Sequence, residues 1–170
     1  GEIGPAGAAS QTRINALAGH LDAGVTLPVP MQPRIGAEIN YATGSSNPNG
    51  GHTFSQLFPT NHIHFGYMDR MSWQNMLTYG GNLQMRPTAN SHFEIGGHIM
   101  RLANEKDAWY GANQAVFLNA GTANKEKSLG GEIDVVYTLF FANNKVGWQL
   151  GYGHFFAGDY IKKNSGSKGT

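Results

Sequence analysis

The chain has 170 residues, enough for one domain, and its formal net charge of +1 excludes a strong general attraction to nucleic acid. Charged residues make up only 14% of the sequence, well below the roughly 25% of ordinary soluble domains, and 24 residues are glycine, which suits a surface that does not face water. No run of about 18 apolar residues is present, which excludes a transmembrane helix, and the absence of cysteine excludes disulfides and thiolate metal sites.

Six segments alternate between apolar and polar residues with period 2, the pattern that predicts β-strands. In chain order they are RINALAGHLDAGVTLP, QPRIGAEINYA, WQNMLTYGGNLQMRP, HFEIGGHIMRLA, LGGEIDVVYTLFF and VGWQLGYGHFF. Each is near the length of about 9–11 residues that a tilted strand needs to cross a bilayer. The fourth segment changes parity between Met100 and Arg101, which predicts a β-bulge or the boundary of the membrane at that point.

The apolar faces of these segments carry aromatic residues toward the strand ends, where the aromatic girdles of outer-membrane barrels lie. The aromatic residues in question are Tyr41, Trp73, Tyr137, Phe141 and Tyr152, and the apolar face of the fifth segment is expected to begin at Leu129. The same alternation fits a soluble up-and-down barrel or sandwich with an apolar core. The opposite faces combine charges with many glycines, which favours the polar lumen of a transmembrane barrel over a solvated outer surface.

The predicted connections alternate between short and long, as the periplasmic turns and extracellular loops of outer-membrane barrels do. Short connections lie at 28–31, 87–91 and 142–145, and long ones at about 43–71 and 104–127. The predicted fold class is therefore all-β, a transmembrane antiparallel up-and-down β-barrel. Because single-chain bacterial barrels begin at about eight strands, we expect the six visible strands to belong to a larger porin-like barrel. On this interpretation residues 1–170 are a single domain, the C-terminal portion of an outer-membrane barrel.

Two blocks of the sequence resemble the alginate export family of outer-membrane β-barrels. The first, RIGAEINYATGSSNPNGGHTFSQLFPTNHIHFGYMDRMSWQNM, is similar to a family strand end, a loop T-F-x-Q-L-F-P-T-N-H-x-x-x-G-Y-x-D and a strand start W-Q-N. The second, GGEIDVVYTLFFANNKVGWQLGYGHFFAGDYIKK, is similar to the strands G-x-E-I-D and L-G-Y-x-H-F-F-x-G-D-Y-I-K. Thr43 replaces a usual serine, Ala157 stands where proline is common, and the family's last strand is expected to lie beyond this chain.

The resemblance implies an outer-membrane location in a Gram-negative bacterium and a large monomeric barrel of about 16–18 strands. It also implies passive export or diffusion of a polysaccharide or another polar solute. The implied partners are outer-membrane lipid and that solute, with periplasmic export components left open and nucleic acid excluded. No enzyme activity, catalytic residue, cofactor or metal is expected. A non-conducting barrel whose extracellular loops bind a partner or ligand remains the alternative.

Charged residues on the predicted polar faces are the expected pore lining, where they would select solutes by charge or pair with one another to hold the wall. They are Asp22, Arg34, Glu38, Arg86, Glu94, Arg101, Glu132 and Asp134. Acidic residues outnumber basic ones in this set, so the sequence does not predict a basic funnel for a polyanion.

The loop GHTFSQLFPTNHIHFGYMD concentrates side chains that resemble a reactive site. An extended His62 and His64 would point the same way and could bind a metal with Asp69, but an H-x-H pattern alone is a weak metal signal. We expect instead that Asn61, His62 and Asp69 bond backbone groups of a folded loop. Apolar side chains predict that the loop folds back onto the barrel rim or into its mouth, and they are Phe54, Leu57, Phe58, Phe65 and Tyr67. The predicted constriction or brace comprises Phe54, Phe58, Asn61, His62, Tyr67 and Asp69.

Overall fold

The computed structural model describes residues 14–46, 51–58, 61–119 and 125–164. The strands in these ranges are β1 (Ala18–Thr26), β2 (Arg34–Ala42), β3 (Met76–Met85), β4 (Ser91–Leu102), β5 (Trp109–Tyr110), β6 (Val116–Leu118), β7 (Ser128–Phe141) and β8 (Val146–Ala157). The two helices are short, α1 (Asn61–His64) and α2 (Asp159–Asn164). Within the described ranges, neither helix is long and apolar enough to cross a membrane.

One antiparallel sheet of six strands dominates the structure, in the order β1-β2-β3-β4-β7-β8. Every predicted alternating segment forms one of these strands, and each strand pairs with the next long strand of the chain. The connections at one end of the sheet are short, and the two at the other end are long. The second long connection contains the small antiparallel pair of β5 and β6.

The register of the sheet aligns apolar residues into continuous rows on one face. Val25 pairs with Ile35, Ile35 with Leu83, and Leu83 with Ile95. The row continues through the partners of Ile95 on β7 and β8, which are Val135 and Tyr152. Large side chains on this face are exposed along the sheet, among them Leu21, Val25, Ile35, Ile99, Leu150 and Tyr152. The alternation therefore separates one exposed apolar face from one polar face.

The buried core lies on the otherwise polar face, at the end of the sheet that carries the long connections. Strand ends contribute Ala42, Met76, Met100, Leu102 and Leu129, and the connections and α2 contribute Phe65, Met71, Trp109 and Tyr160. At this level the inner side of the strands changes from polar to apolar, because the connections pack over it and exclude water.

This covered end explains two differences from the sequence prediction. The predicted bulge is confirmed, since the register of β4 and β7 shifts between Met100 and Arg101. Leu129 occupies the extra position and is fully buried in the core, so its assignment to the outer apolar face is wrong. Trp73 precedes β3 and packs its ring 5.4 Å from that of Phe65, so its assignment to a girdle is also wrong. Alternation does not reveal a connection that folds over a strand end.

Candidate functional site

The loop segment 61–68, hereafter the inner segment, lies across the polar face of the sheet. Two backbone amides anchor it to β7: the Tyr67 amide donates to Asp134 Oδ2 at 3.1 Å, and the Met68 amide donates to Glu132 Oε1 at 2.9 Å. Both carboxylates are almost fully buried, with 1% of Glu132 and 3% of Asp134 exposed. From β2, Asn40 Nδ2 donates to the carbonyl oxygen of His64 at 3.3 Å. The inner segment is therefore held at both sides of the polar face.

Gly66 allows the inner segment to approach β7 this closely. Its φ angle is +90°, in the left-handed region that disfavours L-residues with a side chain. A Cβ at this position would lie 2.2 Å from Glu132 Oε1 and 2.8 Å from Asp134 Oδ2. Both the backbone conformation and the contact therefore require glycine.

We expect Gly66→Ala to loosen the inner segment, because left-handed backbone costs an alanine about 1–2 kcal/mol and the added methyl group displaces the two carboxylates. Hydrogen–deuterium exchange followed by mass spectrometry should show faster exchange in a peptide covering 64–70. Gly111→Ala is the matched control, because a Cβ there meets only ordinary contacts, the nearest at 3.5 Å. Equal exchange in the two variants would contradict the role of Gly66.

The residues of the predicted constriction or brace make different contacts from those expected. His62 and Asp69 bond each other, with 3.1 Å between Nδ1 and Oδ2, and within the described ranges neither side chain bonds a backbone group. The ring of His62 also lies 4.6 Å from that of Tyr67. Burial, followed by the charges of Glu94 and Asp134, raises the pKa of Tyr67. The side chain of Asn61 lies outside the described part of the chain.

The apolar residues of the loop fall into a buried group and an exposed group. Phe65 is fully buried in the core, and Phe54 packs against that core. Leu57 and Phe58 are 85% and 84% exposed, so the prediction that they fold back with the others is wrong. Gln56 holds this part of the loop instead, because its Oε1 accepts a hydrogen bond from the Trp73 amide at 2.6 Å. Leu57 and Phe58, which follow it, extend into solvent.

A cavity of about 470 Å³ lies between the inner segment and the sheet. Five of the predicted pore-lining residues line it: Asp22, Arg34, Glu38, Glu94 and Asp134. Arg86 lines a second cavity of about 200 Å³, and Glu132 lies beneath the inner segment. Arg101 pairs with Leu77 in the β3–β4 register, which places it with the exposed apolar face rather than with the cavity.

Three carboxylates along the cavity have a basic partner. Arg34 donates to Asp22 at 3.0 Å, and His92 Nε2 lies 3.6 Å from Glu94. Glu38 accepts a hydrogen bond at 3.0 Å from His98, a residue that is not among the predicted site residues. On the cavity floor, Gly96 leaves space that a side chain would fill, since a Cβ there meets no atom closer than 3.8 Å.

Three histidines of this cavity were not predicted as a group, namely His20, His64 and His98. Burial and the neighbouring His20 lower the pKa of His64, and the charge of Glu38 opposes them. These residues come from β1, from α1 and from β4, which are far apart in the sequence. Only the folding of the long connection over the sheet brings them together.

Asp107 joins the two long connections and was also missed by the sequence analysis. Its Oδ2 accepts hydrogen bonds from the Ser45 amide at 2.7 Å and from the Thr53 hydroxyl at 2.6 Å. Its Oδ1 accepts from the Ala108 amide at 2.7 Å and from the Tyr110 hydroxyl at 2.9 Å. Burial and this bond to a carboxylate raise the pKa of Tyr110 to about 12. A single aspartate in a long connection gives no sequence signal for such a role.

The sequence model described as Alginate export matches residues 3–170. The chain belongs to the alginate export family. No curated sequence matches it. Alginate export proteins are a transport family rather than an enzyme family, which agrees with the expected absence of catalysis.

Several motif residues of this alginate export protein have a structural role. Gly44 faces Asn75 so closely that a Cβ would lie 2.0 Å from Asn75 Oδ1. The Thr43 hydroxyl accepts a hydrogen bond from the Leu17 amide at 3.1 Å, a bond that the serine usual in the family could also accept. Together with Gly66 and Gln56, these residues fix how the first long connection folds.

Proposed function

We propose that this chain contributes six strands to a transmembrane β-barrel of the bacterial outer membrane. The observation that carries the proposal is the division of the sheet into two faces. The apolar face is exposed along the sheet, and the polar face borders a cavity. Soluble monomers rarely expose contiguous apolar patches larger than a few hundred Å², whereas transmembrane strands alternate lipid-facing with lumen-facing residues. Membership of the alginate export family supports the same location.

The barrel in this proposal is a channel for passive export or diffusion of a polysaccharide or another polar solute. The inner segment narrows the lumen, because buried carboxylates of β7 and an amide of β2 hold it over the polar face. The ion pair of Asp22 with Arg34 and the hydrogen bond between His98 and Glu38 give the lining a mixed character. Such a lining supports a hydrated polar solute more than a strongly charged one.

Conductance measurements on the full-length protein in planar lipid bilayers test this proposal. We expect stepwise increases in current that persist in different salts, since an open lumen passes hydrated ions. The matched control is the same protein denatured by heat before addition. Protein that inserts into lipid vesicles but gives no current would contradict the channel, and protein that stays dispersed without detergent would contradict the membrane location.

One observation favours a second function, a non-conducting barrel whose loops bind a partner. Leu57, Phe58 and Phe117 are exposed at the end of the sheet that carries the long connections. Exposed apolar residues of this kind can form a contact surface. A Leu57→Ser and Phe58→Ser variant that loses binding to whole cells while conductance stays unchanged would support this alternative.

A further inference from the structure

Three side chains with metal-binding atoms converge where the inner segment meets the first two strands. His20 lies on β1, Glu38 lies on β2, and His64 is the last residue of α1. One potential ligand atom from each lies within 4.8 Å of the other two. The rings of His20 and His64 meet edge to face at 4.7 Å, and Trp73 packs beside both. All three potential ligands line the cavity of about 470 Å³.

The hydrogen bonds of Asn40 fix the tautomer of His20 in the form that leaves the Nε2 lone pair available. Asn40 is fully buried, and its Nδ2 donates to the His64 carbonyl at 3.3 Å and to the Thr78 hydroxyl at 3.0 Å. A carbonyl oxygen can only accept, so the amide nitrogen must face it and Asn40 Oδ1 must face His20. Because Oδ1 only accepts, His20 Nδ1, at 2.6 Å, carries the proton. The lone pair of neutral His20 is therefore on Nε2, which is free to bind a metal.

Glu38 is oriented in a similar way. His98 Nε2 lies 3.0 Å from Glu38 Oε1, and the two side chains are only 14% and 10% exposed. This bond uses one carboxylate oxygen and leaves Oε2 for a ligand. Metal ligands in proteins are commonly held by such outer hydrogen bonds, which set the orientation of the ligand and increase its basicity.

We propose that His20, Glu38 and His64 bind a first-row transition-metal ion, with Zn²⁺ as the preferred ion. Two histidines and one carboxylate with an open fourth position form an established ligand set for Zn²⁺. Two donors on one tetrahedral ion lie about 3.3 Å apart, so rotation of the imidazole rings by about 1–1.5 Å at their nitrogens closes the site. The ion joins the inner segment to β1 and β2, opposite its anchors on β7. This site is independent of whether the barrel conducts.

The test is calorimetric titration of the full-length protein in detergent with ZnCl₂ alone, after treatment with a chelator and removal of any histidine tag. We expect one equivalent of Zn²⁺ to bind to the unaltered protein. His64→Ala and Glu38→Gln should each lower the affinity at least about 100-fold, and His98→Ala about 10–100-fold. CaCl₂ should give no heat that depends on His64, because Ca²⁺ requires six to eight oxygen ligands.

Two controls separate loss of a ligand from loss of the fold. His154→Ala removes a histidine from the opposite, exposed face of the sheet, where it pairs with Ile133, and should bind Zn²⁺ as the unaltered protein does. Circular dichroism should show the same β-content in every variant. The visible spectrum of bound Co²⁺ should be present in the unaltered protein and absent in His64→Ala. Failure of the unaltered protein to bind one equivalent, or full affinity in folded His64→Ala, would overturn the proposal.

Discussion

The double variant Glu132→Ala and Asp134→Ala should give a larger and noisier single-channel conductance than the unaltered protein. These carboxylates accept the Tyr67 and Met68 amides and thereby hold the inner segment against β7. Each hydrogen bond contributes about 1 kcal/mol net, so losing both weakens the anchor by about 2 kcal/mol. Such a change raises the population of the released segment about 30-fold.

Limited trypsin digestion provides a structural readout of the same release. Arg70 follows the inner segment, is only partly exposed, and lies over the ring of Phe155. Cleavage after Arg70 should therefore be faster in the double variant. The matched control, Asp22→Ala with Glu94→Ala, removes two carboxylates from the same polar face without touching the anchoring bonds. If the double variant and this control are cleaved at the same rate, these anchors do not hold the segment.

Asn75→Ala should lower the free energy of unfolding by about 3–4 kcal/mol. Asn75 is fully buried, and its Nδ2 donates at 3.0 Å to the carbonyl oxygens of Asn104 and Ala108. Its Oδ1 accepts from the Asn104 amide at 2.8 Å. Three lost hydrogen bonds cost about 1 kcal/mol each, and the φ angle of 49° adds a cost for alanine of about 1 kcal/mol.

Urea unfolding in detergent, followed by tryptophan fluorescence, measures this change. Asn82→Ala, on the strand β3 that follows Asn75, is the matched control, because Asn82 Oδ1 is buried without a hydrogen-bond partner among the described residues. That substitution removes an unsatisfied polar atom and should change stability little or raise it. Similar losses in the two variants would mean that the bonds of Asn75 to the second long connection contribute nothing measurable.

The sequence was sufficient to predict the six strands of the large sheet and the position of the two long connections, but not the short strands β5 and β6 within the second connection. Period-2 alternation depends only on which side of the sheet faces an apolar environment, and antiparallel neighbours follow from short turns. The alternation pattern does not indicate which segments of the chain pack over a face of the sheet. Alternation therefore predicts an outward direction for Leu129 and Trp73, although the long connections enclose both.

The candidate site was predictable only in part. Strand alternation predicts that Asp22, Arg34 and Glu38 lie on the polar face, because the side of the sheet that a residue occupies is set by its position along the strand. The convergence of His20 with His64 depends on a connection of more than thirty residues folding back across the sheet. The hydrogen bonds of Asp107 to Ser45 and Thr53 depend on a contact between two such connections. Contacts of this kind arise from tertiary packing, to which local sequence patterns are not sensitive.

The unfilled space above Gly96 offers a place for a chemical reporter inside the molecule. The sequence contains no cysteine, so Gly96→Cys would introduce a unique thiol on the cavity floor. The nearest atoms to a Cβ there lie at 3.8 Å, which leaves the backbone undisturbed. Thiol reagents of increasing size would then gauge, from the rate at which they react, how wide the path beneath the inner segment is.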